Sequence, residues 1–158
     1  MQLRPLRDAD RVILQAWLRA PHVAPWFSDP ESWLHEVRER DGAYRFIRHF
    51  IACVDDQPLG FCQYYCCGDS GEPEYATFPP ATTYSIDYLI GDAHHLRRGY
   101  AKAMLAELIA RIVRETPAER IVVQPDHDNQ ASRALLKSLG FAYHSDLAVF
   151  CLPLERRN

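Results

Sequence analysis

The apolar positions change period repeatedly along the chain, and each change marks an element. Gln2–Leu6 reads as a short strand. Asp8 or Asp10 then stands where it can cap a helix with Val12, Ile13, Ala16 and Trp17 on one face. "SDPESWLHEVRERDG", residues 28–42, predicts a second helix: Ser28 or Asp29 caps it, Pro30 takes the first turn, Glu31 complements the dipole and Gly42 ends it. "YRFIRHFIACV" and "PLGFCQYYCC" are rich in aromatic and branched residues, and the intervening "DDQP" predicts an antiparallel hairpin. "GDSGEPEYATFPPAT" carries the Gly and Pro of a loop, and "TYSIDYLIG" returns to strand. After Gly99, Leu105, Leu108, Ile109, Ile112 and Val113 fall at helical spacing and predict one buried face. "RIVVQP" is a short apolar strand, "DNQASRALLKSLGF" a capped helix stopped by Gly140, and the remainder a terminal hairpin. The order β-α-α-β-β-β-α-β-α-β-β makes this a mixed α/β chain, one sheet layer with helices on it, as a single domain over residues 1–158.

Composition narrows the class. A hydrophobic fraction of 47%, a charged fraction of 25% and a net charge of -3 are those of a soluble globular protein, with no global reason to bind nucleic acid. No apolar run approaches the roughly 20 residues that span a bilayer. The first residues, "MQLRPLRD", lack the apolar core of a signal peptide. The five cysteines form no zinc-type pairs and read as small apolar residues of a reduced, cytoplasmic protein. None of the seven histidines has metal-ligand spacing, so no metal is expected.

The stretch "HHLRRGYAKAMLAELIARI", residues 94–112, raises a question of charge. Arg97 and Arg98 stand at a helix start, where the dipole disfavours cations. Either the loop is simply solvated, or an anion sits there on the first-turn amides. In the second case Gly99 lets backbone approach the ligand, and the arginines add charge-assisted bonds. The loop lacks the Lys-Ser/Thr of a Walker A motif and the three glycines of a dinucleotide loop.

"LRRGYA", Leu96 to Ala101, resembles the Gln/Arg-x-x-Gly-x-Gly/Ala loop of the GNAT superfamily of N-acetyltransferases, and "NQASRALLKSLGF" resembles the second motif of that superfamily. The resemblance implies a mixed, mostly antiparallel sheet with helices on both faces, and acetyl-coenzyme A as co-substrate. It places the pyrophosphate on residues 96–101 (Leu96, Arg97, Arg98, Gly99, Tyr100, Ala101). The pantetheine arm would run along Leu89 and Ile90, with Asn129 and Ser132 touching it. An amide of Leu89 or Ile90 would serve the developing oxyanion. Two departures stand out. Leu96 replaces the usual Gln or Arg, and Leu136 replaces a tyrosine that protonates the leaving thiolate in many members.

Within the superfamily, the spacing from Asp87 to the loop is similar to that of aminoglycoside 6'-N-acetyltransferases. That likeness implies that Asp87 meets the reacting amine and helps deprotonate it, directly or through water. Read on its own, Asp87 is a carboxylate in an apolar strand, which wants a cationic partner; a local Arg would also serve. Glu72 and Tyr75, in an acidic and aromatic loop, suit a polycationic aminosugar, although a solvated loop fits equally. Trp26 lines the acceptor site or the core; Asp126 and Asp128 are placed to extend an acidic cleft, and Asp128 fits equally as the cap of the next helix. The implied partner is a small polyamine-like or aminosugar molecule, taken by a monomer or homodimer. The rivals are a siderophore hydroxylysine or peptide amine as acceptor, and a non-catalytic coenzyme A sensor.

Overall fold

The computed structural model describes residues 1–156. Seven strands form one sheet in the order β1-β2-β3-β4-β5-β7-β6. These are β1 (Gln2–Pro5), β2 (Ile47–Val54), β3 (Gln57–Cys66), β4 (Thr83–Ile90), β5 (Arg120–Val123), β6 (Ala142–His144) and β7 (Val149–Pro153). The helices are α1 (Asp10–Leu18), α2 (Pro30–Arg38), α3 (Cys67–Ser70), α4 (Tyr100–Glu115) and α5 (Gln130–Ser138). The expected mixed, mostly antiparallel sheet is present, and β4 with β5 forms its one parallel pair. Asp55 and Asp56, both at positive φ, make the tight turn joining β2 to β3.

Because strand side chains alternate between faces, the sheet carries two cores. Tyr64, Ile86 and Ile90 face α4 and α5, where Met104, Leu105, Leu108, Ile112 and Leu136 are fully buried. Ile51, Phe61 and Leu89 face Leu14, Trp17, Leu18, Leu34 and Val37 of α1 and α2. A bidentate Arg4–Asp10 pair at 2.7 and 2.8 Å ties β1 to the first turn of α1.

Several sequence expectations need correcting. In α1 the buried face is Leu14, Trp17 and Leu18, while Val12 is 78% exposed. Leu14, Trp17 and Leu18 have the same i, i+3, i+4 spacing as the expected set, and packing against α2 and the sheet selects them. Neither Asp8 nor Asp10 caps α1; Asp10 lies inside its first turn and accepts from the Arg7 amide at 2.7 Å. Val113 of α4 is exposed, because it lies at the margin of the buried face formed by Leu105, Leu108 and Ile112. Residues 68–82, expected as loop, hold most of α3, which begins at Cys67 in the stretch expected as strand, and a 3-10 turn over Pro73–Tyr75. Asn129, not Asp128, caps α5, accepting from the Ser132 amide at 3.2 Å.

Candidate active site

The site begins with a mismatch of strand lengths. β4 and β5 pair only at Thr83↔Arg120, Tyr84↔Ile121 and Ser85↔Val122, while β4 runs on to Ile90. Beyond Ser85, β4 keeps β3 on one side and is open on the other. A cavity of about 500 Å³ opens there, lined by Tyr88, Leu89 and Ile90 of β4, residues 95–97 and 99–102, and Asn129 and Ser132.

The loop into α4 has the backbone of an anion cradle. Arg97 sits at φ 60° and Gly99 at φ 81°, so the chain reverses twice within three residues. A Cβ built on Gly99 would meet nothing within 4 Å. The glycine therefore answers to its left-handed conformation and to open space above it, not to crowding within the protein. The first intrahelical bond runs from the Ala103 amide to the Gly99 carbonyl at 3.1 Å. Helix geometry thus leaves the amides of Tyr100, Ala101 and Lys102 without an intrahelical acceptor. The expected binding residues Leu89, Ile90, Leu96, Arg97, Gly99, Tyr100, Ala101, Asn129 and Ser132 all share this cavity; exposed Arg98 flanks it. An elongated ligand with a diphosphate at one end fits these residues, since apolar walls lead to a cradle of amides and cationic side chains.

Strand alternation refines the oxyanion expectation. The Gly91 amide donates to Leu59 of β3 at 2.8 Å, whereas the Ile90 carbonyl accepts from His22 Nε2, also at 2.8 Å. Odd-numbered β4 backbone groups therefore face β3, and even-numbered ones face the gap. Of the two expected donors, the Ile90 amide faces the gap and the Leu89 amide does not. His22, which carries a proton on Nε2 to make this bond, was not singled out from the sequence; a lone histidine between Pro21 and Val23 carries no signal of its own.

A second cavity, about 390 Å³, lies against the other face of the sheet. Trp33, Glu36, Tyr44, Phe46, Ile47, Gln63, Tyr65, Ser70, Glu72 and Asp87 line it. Asp87 accepts from Gln63 Nε2 at 2.9 Å. Burial pushes the Asp87 carboxyl up; the Gln63 bond opposes this and the charge of Glu72 adds to it, leaving it at about 6. Glu36 is pushed to about 7, by burial first and then by Asp87 and Glu72. The buried Gln63 Oε1 has no hydrogen-bond partner. Three carboxylates, an orphan carbonyl oxygen and a ring of aromatics give this pocket an acidic, aromatic lining, chemistry that cationic groups would satisfy.

Not every acceptor-side expectation meets here. Glu72 and Asp87 do. Tyr75 does not: its ring is buried, and its hydroxyl accepts from the Gln124 amide at 3.1 Å. Trp26, 37% exposed, lines the first cavity instead. Asp126 is exposed beside Gln124, His127 and Arg133, in a separate shallow pocket. Glu36 and Gln63 went unnoticed in the sequence. The available signal for Glu36 was its place one turn after Trp33; for Gln63, a lone amide inside an apolar strand.

Comparison with known proteins fits this geometry. The family model described as "Acetyltransferase (GNAT) domain" matches residues 6–149, most of the chain. The chain belongs to the GNAT acetyltransferases. It is 23% identical over 145 residues to an aminoglycoside N(6')-acetyltransferase type 1 of Klebsiella pneumoniae, covering 88% of this chain and 72% of that protein. Among solved structures, the aminoglycoside acetyltransferase AAC(6')-Ib in complex with coenzyme A and kanamycin superposes with a TM-score of 0.82 at 21% identity, covering 96% of this chain and 94% of that one. A ribosomal-protein-S5-alanine acetyltransferase of Vibrio fischeri gives a TM-score of 0.68 at 17% identity, over 96% and 92%. In this acetyltransferase no described helix is long and apolar enough to cross a membrane. Among the described residues, no group of three or more His, Cys, Asp or Glu is arranged to hold a metal ion.

Proposed function

We propose that this acetyltransferase moves an acetyl group from acetyl-coenzyme A to a primary amine of a small polycationic acceptor, with the 6'-amine of an aminoglycoside as the preferred target. The observation that carries this reading is the second cavity. Glu36, Glu72 and Asp87 converge there with Gln63, walled by Trp33, Tyr44, Phe46 and Tyr65. Such a pocket suits a ligand with more than one ammonium group and apolar sugar faces. The first cavity, with the Gly99 cradle at its end, suits acetyl-coenzyme A: Leu89, Ile90, Asn129 and Ser132 along the arm, Arg97 and the amides after Gly99 at the pyrophosphate. The co-substrate supplies an activated thioester. The chain supplies position and proton handling.

Asp87 and Tyr88 are consecutive in β4, so one faces each cavity. Asp87, on the acceptor side, holds the ammonium and takes a proton from it, because only a neutral nitrogen has a lone pair for attack. With the Asp87 carboxyl raised to about 6, this transfer is less uphill than to an ordinary aspartate. The Ile90 amide faces the gap, as an oxyanion donor must.

The test is thiol release from acetyl-coenzyme A with a panel of aminoglycosides, lysine and hydroxylysine derivatives, and peptides. Aminoglycosides are expected to raise the rate most, and Asp87→Asn to lower kcat/KM for them by roughly a hundredfold or more. Turnover of hydroxylysines or peptide amines alone, with aminoglycosides silent, would replace this acceptor by another.

A further inference from the structure

The acid that must meet the leaving sulfur is not where the superfamily resemblance implies it. Position 136 is a leucine, fully buried among Leu105, Ile121 and Phe150 in the main core. No hydroxyl can be offered from there. One helical turn earlier, on the same face of α5, stands Ser132. Its hydroxyl is hydrogen-bonded to that of Tyr88, which reaches across from β4. Both side chains line the cavity at the β4–β5 gap. Asn129 fixes Ser132 by capping the first turn of α5.

Resting on the acetyl-transfer reading above, we propose that the Tyr88 hydroxyl, held by Ser132, is the proton donor to the thiolate that leaves when acetyl is transferred. A donor in this cavity would meet the sulfur as it leaves. As the carbon–sulfur bond breaks, its electron pair stays on sulfur. Tyr88 gives its hydroxyl proton to that sulfur, Ser132 passes its own to the phenolate oxygen, and water at the cavity mouth replaces the serine proton. On the opposite face, the ammonium proton that Asp87 takes before attack passes on to solvent, and Asp87 then takes the second proton that the nitrogen sheds after attack. Two protons leave nitrogen, one reaches sulfur, the surplus one goes to water, and none crosses the sheet through a side chain. Burial also holds the Tyr88 hydroxyl up at about 12, so it stays protonated, and able to donate, across the working range of pH.

A structural role for the same hydroxyl would be to pin α5 to β4, and the test separates the two. Tyr88→Phe keeps the ring and removes the proton. It is expected to lower kcat by roughly a hundredfold with little change in either KM. A second readout needs no turnover: calorimetric affinities of coenzyme A and of desulfo-coenzyme A, which has no thiol, between about pH 7 and pH 10, bracketing the ordinary thiol range. In the wild type, a donor at sulfur stabilises the bound thiolate, so coenzyme A gains on the desulfo analogue as pH rises. Tyr88→Phe is expected to lose that gain, and Ser132→Ala to reduce it. If Tyr88→Phe retains kcat within twofold and the same pH-dependent gain, the proposal is overturned and the hydroxyl is only a pin. Should Tyr88→Phe fail to fold, Ser132→Ala decides by the same two readouts. If no acceptor of the panel raises thiol release by the wild type above background, it is the acetyl-transfer reading that fails, and the thiol-dependent affinity still judges Tyr88.

Discussion

Asp87 and Glu36 share a pocket in which burial favours their neutral forms, and the charge of Glu72 adds to that. The consequence for stability has a definite sign. Asp87 rises from 3.8 to about 6 on folding, and Glu36 from 4.5 to about 7. The folded state therefore holds these protons more tightly, and stability is lost as pH rises through those windows. Asp87→Asn and Glu36→Gln are each expected to raise the unfolding free energy by about 1–3 kcal/mol at pH 8 and to leave it nearly unchanged at pH 4. Denaturant titrations at the two pH values check this; equal effects at both would remove the charge argument. Asp87 was legible in the sequence because an isolated carboxylate in "YSIDYLI" has no local reason to be there. Glu36, in the charged run "HEVRER", looks like any solvated residue, and only the approach of α2 to β3 and β4 gives it meaning.

At the scale of elements, the gap between β4 and β5 is the feature from which the site follows. β4 ends at a glycine because Trp17 of α1 lies against it: a Cβ on Gly91 would fall 2.1 Å from the indole. Gly91→Ala must expel Trp17 and is expected to destabilise the fold by about 2–4 kcal/mol, read from thermal or denaturant unfolding. A second glycine, Gly99, gives the opposite pattern. Its surroundings are empty, so Gly99→Ala meets only the left-handed backbone, costing about 1 kcal/mol of stability. It places a methyl group where the cofactor backbone contacts are expected. Coenzyme A affinity should fall roughly tenfold or more, measured by calorimetry; an unchanged affinity would move the pyrophosphate elsewhere. Arg97→Ala combined with Arg98→Ala should raise the KM for acetyl-coenzyme A more than it lowers kcat, and the reverse result would count against the same placement. The helical period of α4 and the glycine before it were readable from "RRGYAKAMLAELIARI". The phase of α1 was not, because two sets of apolar residues compete within ten positions and only Gly91 and α2 decide between them.

Across the whole molecule, one strand separates two cavities of opposite character. The one toward α4 and α5 has largely apolar walls and a cationic, amide-lined end; the one toward α2 is acidic and aromatic. Adjacent residues Asp87 and Tyr88 face one each, and where β5 departs the two faces can communicate. The order of elements and the proposed cofactor loop could be read from linear patterns, since each element lies within one continuous stretch. The proposed acceptor pocket could not, because it draws on α2, β2, β3, the 67–75 segment and β4, which only the folded sheet assembles. The central claim, transfer to a 6'-amine, is tested most directly by two aminoglycosides matched except at that position. With acetyl-coenzyme A, mass spectrometry and NMR of the product should show a single acetyl group on the 6'-nitrogen of the amine-bearing compound. The partner with a 6'-hydroxyl should be returned unchanged. Acetylation of both compounds at another amine, or of neither while a peptide amine is acetylated, would contradict the account.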